Sequence, residues 1–146
     1  MLSDNLKTLL ATQTAYFLKA LGFHWNVEGP DFAQLHEFFG DIYEDAYSAI
    51  DPTAEYIRAL NEYAPASLER YQELTLIQGQ TKIPRARLMI EELLADSQTL
   101  VDLLNTCFVD ATQENKQDIA NFMAERLSQQ NKYAWQLRSF LKDQRA

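Results

Sequence analysis

The sequence predicts an all-α protein, a four-helix bundle formed by one domain spanning residues 1–146. Three observations carry this expectation. Gly and Pro number only four each, too few to punctuate a fold of many short strands and tight turns. Apolar residues recur at helical spacing through four long stretches. The polar connections between these stretches are short, except the middle one.

Ser3 or Asp4 can cap the first helix, where Leu6, Leu9, Leu10, Phe17, Ala20 and Leu21 make one stripe that also includes His24. Glu28-Gly29-Pro30 interrupts it. Asp31 can cap the second helix, with Leu35, Phe39, Ile42, Ala46, Ala49 or Ile50, Ile57 and Leu60 as its stripe and Ala64-Pro65-Ala66 as its end. Pro52 conflicts locally with this helix, because it lacks an N–H and disfavours helical geometry at Asp51. A fresh start, with Asp51 as N-cap and Pro52 at the first helical position, is the alternative. The apolar register stays in phase from Leu35 through Ile57, which favours a single helix kinked at Pro52.

Ser67 to Leu74 reads as a short amphipathic helix, followed by a polar link through Gly79. Pro84 suits the first position of the third long helix, striped by Met89, Ile90, Leu93, Leu94, Leu100, Val101, Leu104 and Phe108. Thr112 to Asn115 connects to the last helix, with Ile119, Phe122, Met123, Leu127, Tyr133, Ala134, Leu137, Phe140 and Leu141. Each long helix is expected to hold roughly 25 residues and to extend about 40 Å. A long middle connection is how ferritin-like bundles join their second and third helices.

Composition excludes several classes of function. The net charge is −8, with 21 acids against 13 Lys and Arg, so the counterion-release term that drives nucleic-acid wrapping is missing. No apolar run is long enough to span a bilayer, and the start has no secretory pattern, which gives a cytoplasmic, membrane-free expectation. Cys107 is the only cysteine, so no intrachain disulfide forms, as befits a reducing compartment.

The chain's two histidines, His24 and His36, flank the first turn at apolar-face positions. A lone histidine there would read as a hydrogen-bonded core residue. A pair, with carboxylates on the same helix, reads as metal-ligating. Asp51 and Glu55 are four apart and share a face of a continuous helix. Imidazole with carboxylate suits iron or another first-row divalent ion. Between Asp31 and Glu62 there are eight acids and one base, Arg58, so this helix carries most of the net charge. Most of those acids, Glu44 and Asp45 among them, read as a solvated face. No Glu-x-x-His motif precedes either histidine (Leu21 and Ala33 stand three residues before), so a di-iron site inside the bundle is not expected. The histidines need carboxylates from elsewhere, and a site shared between subunits is one solution.

The string His24-Trp25-Asn26-Val27-Glu28-Gly29-Pro30-Asp31-Phe32, followed by Leu35-His36-Glu37, resembles the miniferritins called DNA-binding proteins from starved cells. That family pairs a His-Trp-Asn motif with a second His twelve residues on, then an Asp and a Glu on the same helix, here His24, His36, Asp51 and Glu55. Ala64 to Tyr71 resembles its short helix between helices two and three, and Asp118, Lys132 and Trp135 match its last helix. The resemblance covers nearly the whole chain. It implies a ferritin-like four-helix bundle with a short extra helix in the long connection between helices two and three.

The resemblance further implies a homo-oligomer, a hollow dodecamer, with ferroxidase sites at dimer interfaces. His24 and His36 would come from one subunit and Asp51 and Glu55 from its symmetry mate. Fe(II) would bind His24, His36 and Glu55, with Asp51 bridging to or supporting a second iron. It would be oxidised by hydrogen peroxide, or by oxygen, and stored as a ferric core. Two departures stand out. Gly40 occupies the position where the family usually has Asp, and Asp41 beside it is about 100° around the helix. The second iron position is therefore expected to be weak or filled through water. Tyr56 stands where the family usually has Arg.

By the same resemblance, Asp110, Glu114 and Asp118 would line an iron-entry pore, whereas their position also suits ordinary acids near a helix N-terminus. Trp25 would quench radicals or anchor an interface. DNA binding is not expected, because Lys7 is the only base before Lys19, and Arg138, Lys142 and Arg145 suit a helix C-terminus. The competing readings are a non-catalytic cage with a site disabled by Gly40 and Pro52, and a nucleoid DNA-binding protective protein.

Overall fold

The computed structural model describes residues 1–142, so Arg145 lies outside the described residues. Five helices follow one another: α1 (Leu2–Asn26), α2 (Phe32–Ala59), α3 (Leu68–Leu74), α4 (Ala86–Gln113) and α5 (Gln117–Phe140). Among the described residues there is no strand. The four long helices form two hairpins, α1 with α2 and α4 with α5, joined mainly where α1 packs on α4, while α3 lies against α1. No helix among the described residues is long and apolar enough to cross a membrane.

The apolar stripes meet in one core. Leu6, Leu10, Phe39, Ile42, Met89, Leu93, Leu104, Met123 and Leu137 are all buried in a single cluster. A Leu→Ala change at such a position typically costs about 2–5 kcal/mol, because lost transfer free energy and an incompletely collapsed cavity add. A polar thread also crosses this core. The Tyr16 hydroxyl and Ser97 Oγ are 2.8 Å apart, and Gln130 Nε2 donates to both, linking α1, α4 and α5. Burial, only partly offset by these bonds, pushes the Tyr16 phenol well above its usual range. Beside it the buried Lys19 ammonium sits 2.8 Å from Asp96 and 3.5 Å from Glu92. Burial still holds the Asp96 carboxyl above the usual carboxylate range.

The helix boundaries differ from expectation by a residue or two at several ends, including α4, which runs through Gln113, and α5, which stops at Phe140; three differences have a clear local cause. α1 begins at Leu2, ahead of Ser3, because the Glu114 carboxylate accepts the Leu2 N–H at 3.0 Å. An anion at a helix N-terminus satisfies an orphan donor and complements the dipole. α2 ends at Ala59, short of Ala64-Pro65-Ala66. Asn61 takes φ 65°, and Glu62 N–H and Asn61 N–H bond back to Ile57 and Arg58 carbonyls, an αL cap. α4 begins at Ala86 with Arg85 as N-cap, so Pro84 precedes the helix rather than opening it.

Other expectations hold. α2 runs through Pro52 as one helix, and Asp31 occupies its N-cap position without a side-chain capping bond. Ser67 caps α3, accepting the Arg70 N–H at 3.2 Å. The long connection is fastened to α1 where Thr12 Oγ1 accepts the Leu76 N–H, and Ile77 is buried beside it. Across the other side of the bundle, α2 and α5 are clamped by Arg126, whose Nη1 and Nη2 donate to the two oxygens of Asp45 at 3.0 and 2.6 Å.

Candidate metal centre

The turn from α1 to α2 brings the two histidines face to face. Gly29, at φ 115°, reverses the chain in a conformation that a side chain would disfavour. His24 then lies in the last turn of α1 and His36 near the start of α2, both half-buried. Their rings stack with centroids 3.9 Å apart and planes 14° from parallel.

Each ring is oriented by the other residue's backbone. His24 Nδ1 donates to the His36 carbonyl at 2.6 Å, and His36 Nδ1 donates to the His24 carbonyl at 2.7 Å. A carbonyl only accepts, so in each neutral ring Nδ1 carries the hydrogen and Nε2 keeps its lone pair. This is how metal-ligating imidazoles are held, with one nitrogen anchored and the other free. The same bonds satisfy the His24 carbonyl, one of the four that the end of α1 leaves without an intrahelical partner.

Three other side-chain positions wall the pair. The Phe32 ring stacks on the outer side of His36 at 5.1 Å, and Tyr43 leans on His24 at 5.2 Å. Gly40 is the third wall. A Cβ at that position would lie 3.1 Å from His24 Cε1 and Nδ1. Sequence reasoning gave Phe32 and Tyr43 no role at the histidines, since they enter only through packing across the turn. Gly40 drew notice as a missing carboxylate, and its closeness to His24 has no one-dimensional signal.

The rings are nearly parallel, so their in-plane Nε2 lone pairs do not converge on one point. A single ion held by both would require one ring to turn. Two neighbouring positions, or an ion and a water, can take one imidazole each.

Asp51 and Glu55 are exposed on α2, one turn apart, and share a face as expected. They lie 15 and 19 residues beyond His36 on the same helix, about 22 and 28 Å at 1.5 Å per residue. They therefore cannot share an ion with the histidines of their own chain. Among the described residues no group of three or more His, Cys, Asp or Glu side chains gathers so as to hold a metal ion. Asp41 is exposed while Gly40 is buried, the rotation that adjacent helical positions impose.

Two of the three acids expected near a pore have partners within the chain. Besides the Leu2–Glu114 bond, Asn5 Nδ2 donates to Asp110 at 2.6 Å, and Asp118, exposed, sits in the first turn of α5. Trp25 is 66% exposed, and Trp135 is 56% exposed.

Comparison with known proteins agrees with this architecture. The ferritin-like domain family matches residues 3–146. An uncharacterised low temperature-induced protein of Nostoc is 33% identical over 138 residues, 92% of this chain and 76% of that protein. DNA protection during starvation protein 2 of Bacillus anthracis is 29% identical over 138 residues, with 94% of each chain covered. The crystal structure of the Dps protein from Vibrio cholerae superposes with a TM-score of 0.92 at 27% identity, covering 97% of this chain and 89% of that one. It is described as a member of a broad superfamily of ferritin-like diiron-carboxylate proteins. The chain belongs to the ferritin-like domain family and fits its miniferritin branch.

Proposed function

We propose that this chain is the subunit of a cytoplasmic ferroxidase and iron store, in which Fe(II) is the substrate and a ferric core the product. The observation that carries the reading is the reciprocal His24–His36 pair, which leaves both Nε2 lone pairs free, with no carboxylate of the same chain joining the pair among the described residues. The donor chemistry fits iron: neutral imidazoles anchored at Nδ1, to be completed by carboxylate. Asp51 and Glu55 of a two-fold-related subunit supply that carboxylate in this proposal. A shared site also explains why no Glu-x-x-His motif is needed.

One imidazole then serves the tighter iron position, and the other serves a second position completed through water, since Gly40 offers no oxygen donor there. Each of two Fe(II) ions gives one electron to hydrogen peroxide. Its O–O bond breaks, and two protons complete two waters as two Fe(III) form. The protein contributes ligand placement, while the electron transfer belongs to the metal. Twelve subunits closing a hollow shell would retain the ferric product. Asp118, with Asp110 and Glu114 where their intrachain bonds permit, would line the iron entry, and Trp25 would be covered by the neighbouring subunit beside the metal. The Bacillus anthracis relative is named for DNA protection. For this chain we propose protection by removal of iron and peroxide, because a net charge of −8 opposes a phosphate backbone.

The test is soluble ferric core formation after Fe(II) and peroxide are added to purified protein, against His36→Ala. Fast oxidation with iron kept in solution, lost in the variant, supports the ferroxidase. Equal slow rates in both, with iron precipitating as it does in buffer, would leave only a non-catalytic cage.

A further inference from the structure

A site shared across a two-fold axis constrains more than its ligands. The axis carries each chain onto the other, so a pair of chains holds two such sites. Along α2 of either chain, one site lies beside His36 and the other beside Asp51 and Glu55, 15 and 19 residues further on. The axis passes midway between the two sites, level with the stretch from Tyr43 to Ala46. Exchange of the two ends makes the paired α2 helices antiparallel. Side chains of both helices reaching one ion at each end bring the helix axes to about 8–10 Å, the spacing of packed helices. The middle of α2 is then buried against its copy.

The surface at that level has the composition such a contact needs. Tyr47 is 64% exposed. At about 100° per residue, Tyr43 and Tyr47 lie within about 20° of His36 around α2, on the side that also carries Asp51. The Phe17 ring of α1 supports both, with centroids 6.1 Å from Tyr43 and 5.3 Å from Tyr47. Next to Phe17 in α1, Leu18 is 51% exposed. Large aromatic side chains left open in one chain are the residue type that fills interface cores. Tyr43 and Tyr47 also straddle the axis level almost evenly, so antiparallel pairing sets Tyr43 of one chain opposite Tyr47 of the other. Glu44 lines the polar groove towards α5 with Lys132, which draws its carboxylate away from the rings.

We propose that a second copy of this chain docks on the Tyr43–Tyr47 face, with the two-fold axis level with Glu44 and Asp45 and four tyrosine rings around it on two Phe17 ledges. This rests on the shared-site reading and adds the surface that sets its geometry. The contact holds the two sites of a pair about 22–28 Å apart along the helices.

The experiment uses cysteine pairing and dilution of the assembled protein. Glu44 is exposed and nearest the axis level, so Glu44→Cys should form a disulfide with its own copy under mild oxidation, read as a covalent dimer on a non-reducing denaturing gel. Such a bond needs Cα atoms within about 7 Å. Ser48, also exposed, lies one turn further, about 10 Å from its copy along the helices, so Ser48→Cys should stay uncross-linked. Cys107 is buried and does not compete. Tyr47→Ala should raise the concentration at which the assembly dissociates, measured by sedimentation, by roughly tenfold or more, while Tyr47→Phe should not. Cross-linking at Ser48 in place of Glu44, or dissociation of Tyr47→Ala at the wild-type concentration, would overturn the docking face. If Glu44→Cys stays uncross-linked while mixed His36→Ala and Glu55→Ala shells regain iron oxidation, the sites are shared head to tail and this proposal fails alone. If Glu44→Cys cross-links while those mixed shells stay inactive, the docking face stands and the shared-site reading fails.

Discussion

His24 and His36 each donate an Nδ1 hydrogen to the other's backbone carbonyl, over 2.6 and 2.7 Å, so neither ring is placed without the other. Replacing one therefore removes a donor and releases its partner. His24→Ala and His36→Ala should each weaken Co(II) or Fe(II) binding by about 10- to 100-fold, and the double variant should be little worse than either alone. A calorimetric double-mutant cycle measures this. Losses that simply add would mean that the two rings act independently.

This mutual dependence also shows where sequence reading stops. The two histidines could be picked out because they share helical apolar stripes on either side of a Gly-Pro turn, and α2 could be followed through Pro52 because its register never slips. Local signals of that kind placed the four long helices and the short one from Ser67 to Leu74. Contacts between residues distant in the chain were invisible. Glu114 starts α1 from 112 residues away, Tyr16, Ser97 and Gln130 meet across three helices, and Gly40 touches His24 over a turn. Such pairs have no period. The end of α2 was misplaced for another reason: Asn61 adopts the left-handed region and closes the helix before the Pro65 signal is reached.

Arg126 and Asp45 form a two-pronged, largely shielded ion pair, with side-chain exposures of 11% and 22%. Arg126→Ala leaves a half-buried carboxylate without its partner. It should lower stability by about 2 kcal/mol, between the values for exposed and fully buried pairs. Urea unfolding of the variant checks the figure. An unchanged midpoint would mean that water replaces the guanidinium at no cost.

Glu114 caps α1 through the Leu2 N–H. Glu114→Ala should cost about 1 kcal/mol, a typical loss for an N-terminal cap, and should speed amide exchange in the first turn of α1 only. Hydrogen exchange resolved along the chain measures both. Exchange faster throughout the bundle would contradict a local cap.

Cys107 is fully buried, and that burial, with the charge of Asp110 as a smaller cause, pushes its thiol from 9.0 up to about 12. A raised folded value means that the folded chain holds the proton more tightly than the unfolded one. The contribution is fully present below pH 9 and is lost as pH rises towards 12. Tyr133 acts in the same direction between 10.0 and about 12, through burial and the nearby Asp45 and Asp41 charges. Labelling of Cys107 by a thiol reagent at neutral pH should therefore follow global unfolding. Labelling much faster than unfolding would show that the α4 core opens locally.

The central claim is that each site joins His24 and His36 of one subunit to Asp51 and Glu55 of another. Co-assembly of His36→Ala subunits with Glu55→Ala subunits tests it directly, since each variant alone has no complete site. In a mixed dimer, one of the two sites regains all four ligands. Random mixing of equal amounts should then restore about a quarter of the wild-type sites, by the two-fold symmetry of an isologous pair. The measurement is peroxide-dependent Fe(II) oxidation by the mixed shells, normalised to wild type. Recovery near that fraction is the predicted result. Mixed shells as inactive as the two parents would contradict the shared site.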